Sequence, residues 1–118
     1  MPHTISVKHA LAGLKYCLKT QPNFRFHLFT TLLVLLSAAF LQLSLFEFTI
    51  LIFTISFVLI AEMVNTSLES ITDLITTDYK LQAKIAKDVS AGMVLLSAFM
   101  SIIVGLLIFV PHLIQFFP

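Results

Sequence analysis

The 118 residues include 58% hydrophobic and only 11% charged side chains, against about a quarter charged in soluble domains, which marks an integral membrane protein. A formal net charge of +1 with four scattered histidines leaves no basic field of the kind that nucleic acid requires. The one cysteine, Cys17, excludes an intrachain disulfide and reads as a small apolar residue on a helix.

The opening stretch MPHTISVKHALAGLKYCLK has no short apolar core followed by a small-residue cleavage site, so the chain is expected to begin near Met1. Across residues 4–20, Ile5, His9, Ala12 and Tyr16 are set against Lys8, Lys15 and Lys19, which predicts an amphipathic helix lying on a membrane surface. Pro22 lacks a backbone donor and restricts the residue before it, so a bend is expected over Gln21–Asn23. From Leu28 to Phe46 there is no charge, and the length suits a first transmembrane helix at 28–46. A second span, about 48–70, follows Glu47 and keeps a polar stripe turned inward. TTDYKLQAKIAKD is short, polar and basic, with a turn expected near Thr76–Tyr79. A third span, about 87–110, is expected to end at Pro111. The expected architecture is therefore all-α, one membrane domain over 1–118 with a surface helix and three spans.

Lys8, Lys15, Lys19 and Arg25 precede the first span, and Lys80, Lys84 and Lys87 lie between the second and third. The loop expected at Ser44–Glu47 and the C-terminal tail hold neither lysine nor arginine. The positive-inside rule then puts the N-terminus and the 76–88 loop on the cytoplasmic side, and the 44–47 loop and the C-terminus outside.

Glu62, Asn65, Glu69 and Asp73 recur at spacings of three, four and four, which return to one helix face. A carboxylate at the bilayer centre costs about 2.5–3.5 kcal/mol, so such residues face protein or a wet cavity and mark function. Glu62 lies about two turns deeper than the cytoplasmic edge, where a carboxylate suits a general base. Glu69, nearer water and with lysines close by, suits a divalent cation and phosphate oxygens. Lys84 and Asp88 also fit a plain i, i+4 surface pair. With only Gly13, Gly92 and Gly105 as glycines, and no GxxxxGK[ST] run, the chain is no P-loop enzyme.

The run from Glu62 through Asn65-Thr66, Glu69 and Asp73, followed by Ala86-Lys87-Asp88, resembles the ExxN[ST]xxExxxD signature of the prokaryotic diacylglycerol kinase family. Gly13-Leu14-Lys15 and Asn23-Phe24-Arg25 extend the likeness over nearly the whole chain. The resemblance implies a bacterial inner-membrane lipid kinase, a homotrimeric helical bundle with composite sites that uses ATP and magnesium at the cytoplasmic face. It makes Glu62 the catalytic base and Glu69 a metal ligand. It assigns Asn65, Asp73, Asp78, Tyr79, Lys80, Lys87 and Asp88 to the nucleotide, and Asn23, Phe24, Arg25 and His27 to the lipid. A second acidic metal ligand is common in the family where this chain has Gln21, whose neutral amide offers one oxygen and no charge, so its place as a ligand is doubtful. Thr72 stands where a valine is usual. His27 after Asn23-Phe24-Arg25-Phe26 resembles the undecaprenol kinase branch more than the diacylglycerol branch. An interfacial histidine with no part in lipid choice is the plainer reading of the same residue.

Ser97, Ser101 and Gly105 repeat every four residues, the small-residue spacing that lets helices approach closely in lipid. Phe46–Phe53 is expected to be lipid-facing bulk. The competing class is a channel or proton-relay subunit with Glu62 and Glu69 along a pore. That reading requires a polar line toward the outer side, where only Thr49, Thr54 and Ser56 are found.

Overall fold

A computed structural model describes residues 6–118. It contains α1 (Val7–Thr20), α2 (Pro22–Phe40), α3 (Leu45–Ile75) and α4 (Leu81–Phe116). The expected surface-helix start at residue 4, with Ile5, lies outside the described residues. Three helices, α2, α3 and α4, are long and apolar enough to cross a membrane. α3 and α4 form the main packed pair, α2 joins α3, and α1 leans on α2. Leu95, Leu96, Phe99, Ile102, Leu106 and Leu107 of α4 are all exposed. In water such a surface would be an aggregation face, whereas lipid is its natural solvent. Phe46 and Phe53 are exposed as expected, while Phe48 between them packs on the cluster of Ala38, Leu51 and Ile108.

The break between α1 and α2 is tighter than Gln21–Asn23. Gln21 alone caps both helices and Pro22 opens α2, because a proline at the first helical position loses no helical hydrogen bond and has its φ already set. Arg25 then reaches back, its Nη1 donating to the carbonyls of Leu18 (3.1 Å) and Lys19 (2.9 Å). Those carbonyls are among the last of α1, which have no partner inside their own helix.

The uncharged run 28–46 is not one helix. α2 stops at Phe40, Leu41–Ser44 turn the chain, and Leu45 and Phe46 already belong to α3. The turn is a Schellman motif: Gln42 N–H donates to Ala39 O at 3.2 Å and Leu43 N–H to Ala38 O at 3.1 Å, with Gln42 at φ 55°. Glycine usually occupies that left-handed position. Leu43 packs on the Ala38 cluster, the apolar contact that accompanies the motif. Ser44 and Glu47 then start α3 with a capping box, Ser44 Oγ accepting from Glu47 N–H and Glu47 Oε1 from Ser44 N–H, both at 3.1 Å.

Pro111 does not end the third long helix, which continues to Phe116. Only a short stretch follows the proline, so few backbone bonds are at stake, and the extension gains contacts. The Phe116 ring lies 5.4 Å from that of Phe40, and His112 Nε2 sits 2.8 Å from Glu47 Oε2, tying the end of α4 to the start of α3. At its other end α4 begins at Leu81, ahead of the expected 87, after a short loop held by Asp78 N–H donating to Thr76 Oγ1 at 3.1 Å. The serine and glycine stripe of α4 does not press backbones together along its length. Ser97 is buried, but a Cβ on Gly105 would meet nothing within 4 Å, and Ser101 and Gly105 border an apolar cavity of about 230 Å³.

Candidate active site

α3 is 31 residues long, roughly 46 Å at the usual helical rise, so it exceeds the hydrocarbon thickness of a bilayer. Its C-terminal half carries the polar stripe, and that stripe meets α4 and the start of α2. Glu62, Asn65 and Glu69 share one cavity of about 420 Å³ with Asn23 and His27 of α2. α4 closes the other wall with Ala91, Val94, Leu95 and Ala98, apolar side chains that add no charge.

Glu62 is the deepest member at 2% exposure, and its Oε1 has no hydrogen-bond partner. His27 Nε2 is 3.3 Å from that oxygen, near enough for an ion pair with a protonated imidazole but not aligned as a hydrogen bond. A buried polar group without a partner costs roughly 1–3 kcal/mol in proteins, and an ionised one costs more. His27 is the one neighbour placed to offset that cost, and it makes no hydrogen bond to the oxygen, so this carboxylate is held at the expense of stability, as functional groups are. The neighbouring Thr66 donates to the Glu62 carbonyl at 2.9 Å and is satisfied within its own helix.

Asn65 is fixed from two sides. Its Nδ2 donates to Glu69 Oε1 at 3.2 Å, and its Oδ1 accepts from Ser90 Oγ on α4 at 2.7 Å. Ser90 is 2% exposed and was not evident as a site residue. The available signal was its spacing of seven from Ser97 and three from Lys87, which puts all three on one side of α4.

The remaining nucleotide candidates collect at the loop end. Asp78, Tyr79, Lys80, Lys87 and Asp88 line a second cavity of about 360 Å³, together with Lys84. Lys87 Nζ lies 2.6 Å from Asp73 Oδ1 across α3 and α4, and Lys84 pairs with Asp88 on one helix face. Asp73 therefore stands one turn beyond the Glu62–Glu69 cavity and joins the two helices at its mouth.

Of the lipid candidates, Asn23 and His27 border the cavity. Phe24 is buried at 4% exposure, and Arg25 is engaged with the end of α1. His27 also borders the apolar 230 Å³ cavity that runs between α2, α3 and α4. In that cavity the hydroxyls of Thr30, Thr31, Thr54 and Ser101 all donate to carbonyls of their own helices.

Among the described residues no three His, Cys, Asp or Glu side chains converge as a preformed metal cage. Glu69 is half-buried with its carboxylate on the cavity. One carboxylate with open space beside it fits magnesium, which keeps several waters and binds through one or two carboxylates plus substrate phosphates. Gln21 is not in that cavity, and its Nε2 donates to Thr20 Oγ1 at 3.2 Å.

The sequence pattern of the family described as prokaryotic diacylglycerol kinase matches residues 8–109. A diacylglycerol kinase of Synechocystis is 42% identical over 112 residues, 94% of this chain and 64% of that protein. The chain thus spans just under two thirds of the length of that relative. An undecaprenol kinase of Bacillus subtilis is 39% identical over 108 residues, covering 92% of this chain and 88% of its own length.

Proposed function

This chain belongs to the prokaryotic diacylglycerol kinase family, and from that premise we propose that it transfers the γ-phosphoryl group of ATP to the hydroxyl of a membrane lipid, undecaprenol or diacylglycerol. The observation that carries the proposal is Glu62, a carboxylate 2% exposed with an unpartnered oxygen, in the same cavity as Asn65 and Glu69.

Glu62 takes the proton of the lipid hydroxyl as that oxygen attacks the γ-phosphorus and ADP leaves, and the low-water surroundings suit proton abstraction. Asn65, oriented by Ser90, holds Glu69 in place and presents its amide to the transferring group. Glu69 is the ligand for magnesium, which when bound supplies positive charge to the phosphate oxygens. Lys80, Lys84 and Lys87 around the second cavity attract the nucleotide, with Asp78, Tyr79 and Asp88 beside it, and Asp73 sets the position of Lys87. Asn23 borders the approach of the lipid headgroup.

In this reading the basic 76–88 segment and α1 lie on the cytoplasmic side of a bacterial inner membrane, with α1 on its surface. A homotrimer supplies the walls that one chain leaves open, since α2 to α4 expose apolar faces on several sides. A proton-relay channel is the weaker reading. Beyond His27 the apolar cavity offers hydroxyls already engaged with backbone carbonyls, so among the described residues no titratable line continues outward from it. The test is purified protein in bilayers with γ-labelled ATP and magnesium, offered diacylglycerol and undecaprenol in parallel. Label is expected on at least one lipid, and label on neither refutes the proposal.

A further inference from the structure

We propose that His27 carries the proton away from Glu62, acting as a positioning and proton-relaying partner of the base. The inference rests on the kinase reading and adds a residue to it. In each turnover the lipid O–H bond and the ATP γ-phosphorus–oxygen bond break, the lipid oxygen–phosphorus bond forms, and one proton is left on Glu62. The next turnover needs that carboxylate ionised again. Glu62 is shielded, its side chain 3% exposed, whereas the His27 side chain is 20% exposed and lines the same cavity.

The geometry connects the two groups. His27 Nε2 is 3.3 Å from the one carboxylate oxygen that lacks a hydrogen-bond partner, a separation that closes to a hydrogen bond with a small side-chain movement. Imidazole both accepts and releases protons near neutral pH. An unprotonated Nε2 takes the proton from Oε1, and the imidazolium returns one proton to cavity water. Among the described residues the other titratable group facing this cavity is Glu69, whose Oε1 is occupied by the Asn65 amide. α4 contributes only Ala91, Val94, Leu95 and Ala98 to the cavity. His27 also borders the apolar cavity, so a role in choosing the lipid is the competing reading, and the two roles separate kinetically.

The experiment compares full-length wild type, His27→Gln and His27→Ala in bilayers with magnesium and labelled ATP, with each lipid in turn. Loss of the relay is expected to lower kcat on the order of 10²-fold by the same factor for both lipids, with the KM for lipid and ATP nearly unchanged. Added imidazole is expected to restore turnover to His27→Ala, with rates that follow the basicity of a series of substituted imidazoles. A purely structural role would not produce that dependence. A raised lipid KM with kcat intact, a switch in lipid preference, or a folded His27→Ala that imidazole does not rescue would each overturn the inference while leaving the kinase reading standing. Should both variants fail to fold, a proton inventory on wild-type kcat decides: a curved dependence on the deuterium fraction, with more than one proton in flight, supports the relay, and a linear one, the single proton taken by Glu62 alone, overturns it. A wild type that labels neither lipid removes the kinase reading and the relay together.

Discussion

Replacing Ser90 with alanine removes one hydroxyl from α4 and leaves the backbone of the site untouched. In the structure Ser90 Oγ donates to Asn65 Oδ1 at 2.7 Å, and the same amide donates to Glu69 Oε1 at 3.2 Å. Ser90 is 2% exposed, so water cannot easily take its place. A hydrogen bond of this type contributes about 1 kcal/mol, and the average between membrane helices is nearer 0.6. If most of that energy orients Asn65 for the transfer, kcat/KM for ATP should fall about fivefold, with a comparable loss of stability. Initial rates at varied magnesium-ATP give the first number, and thermal unfolding in detergent gives the second. A double-mutant cycle with Asn65→Ala adds the decisive comparison, because Ser90→Ala should cost little once the amide is gone. Equal losses from Ser90→Ala in both backgrounds would show that the serine does not act through Asn65.

The other expectations concern separate features. Gln42→Gly should stabilise the protein by about 1 kcal/mol, because the left-handed φ of 55° is unfavourable for a side-chain-bearing residue; an unchanged unfolding midpoint would show that the turn relaxes elsewhere. Glu62→Gln should raise the thermal transition, since it removes a buried carboxylate whose Oε1 lacks a hydrogen bond, and a fall would mean that the His27 contact at 3.3 Å outweighs the cost of burial. Lys87→Met should raise the KM for ATP more than it lowers kcat, as expected of a residue in the loop-end cavity and bonded to Asp73, and a selective loss of kcat would place Lys87 at the transferring phosphate instead. Gln21→Glu is expected to leave the magnesium requirement unchanged, because residue 21 lies outside the Glu62–Glu69 cavity of its own chain. A several-fold drop in that requirement would bring residue 21 to the metal from an adjoining chain.

Helical spacing was enough to put Glu62, Asn65 and Glu69 in one cavity, because three positions on one face of a regular helix have little freedom to diverge. What spacing does not encode is the rotation and depth of one helix against another, and the His27–Glu62 and Ser90–Asn65 contacts both depend on those. The lysine and aspartate at 87 and 88 were visible as charges in an apolar sequence, but their cavity exists only because α4 begins at Leu81 and brings its first turns against the loop. The turn at Leu41–Ser44 was obscured by composition, since leucines and a glutamine give no breaker signal. The Ser44–Glu47 capping pair starts α3 where a loop is expected over 44–47. Pro111 misled in the other direction, because a proline close to a helix end costs few bonds, and the Phe40–Phe116 and Glu47–His112 contacts hold the last turn.

The central claim is that Glu62 is the base of a lipid kinase. It is tested most directly by transfer of labelled γ-phosphate from ATP to lipid, with wild type and Glu62→Gln side by side in the same bilayers. Wild type should label undecaprenol, diacylglycerol or both, while Glu62→Gln, folded and with a near-normal KM for ATP, should lose at least about 10²-fold in kcat. Full turnover by Glu62→Gln, or wild type that labels neither lipid, would contradict it.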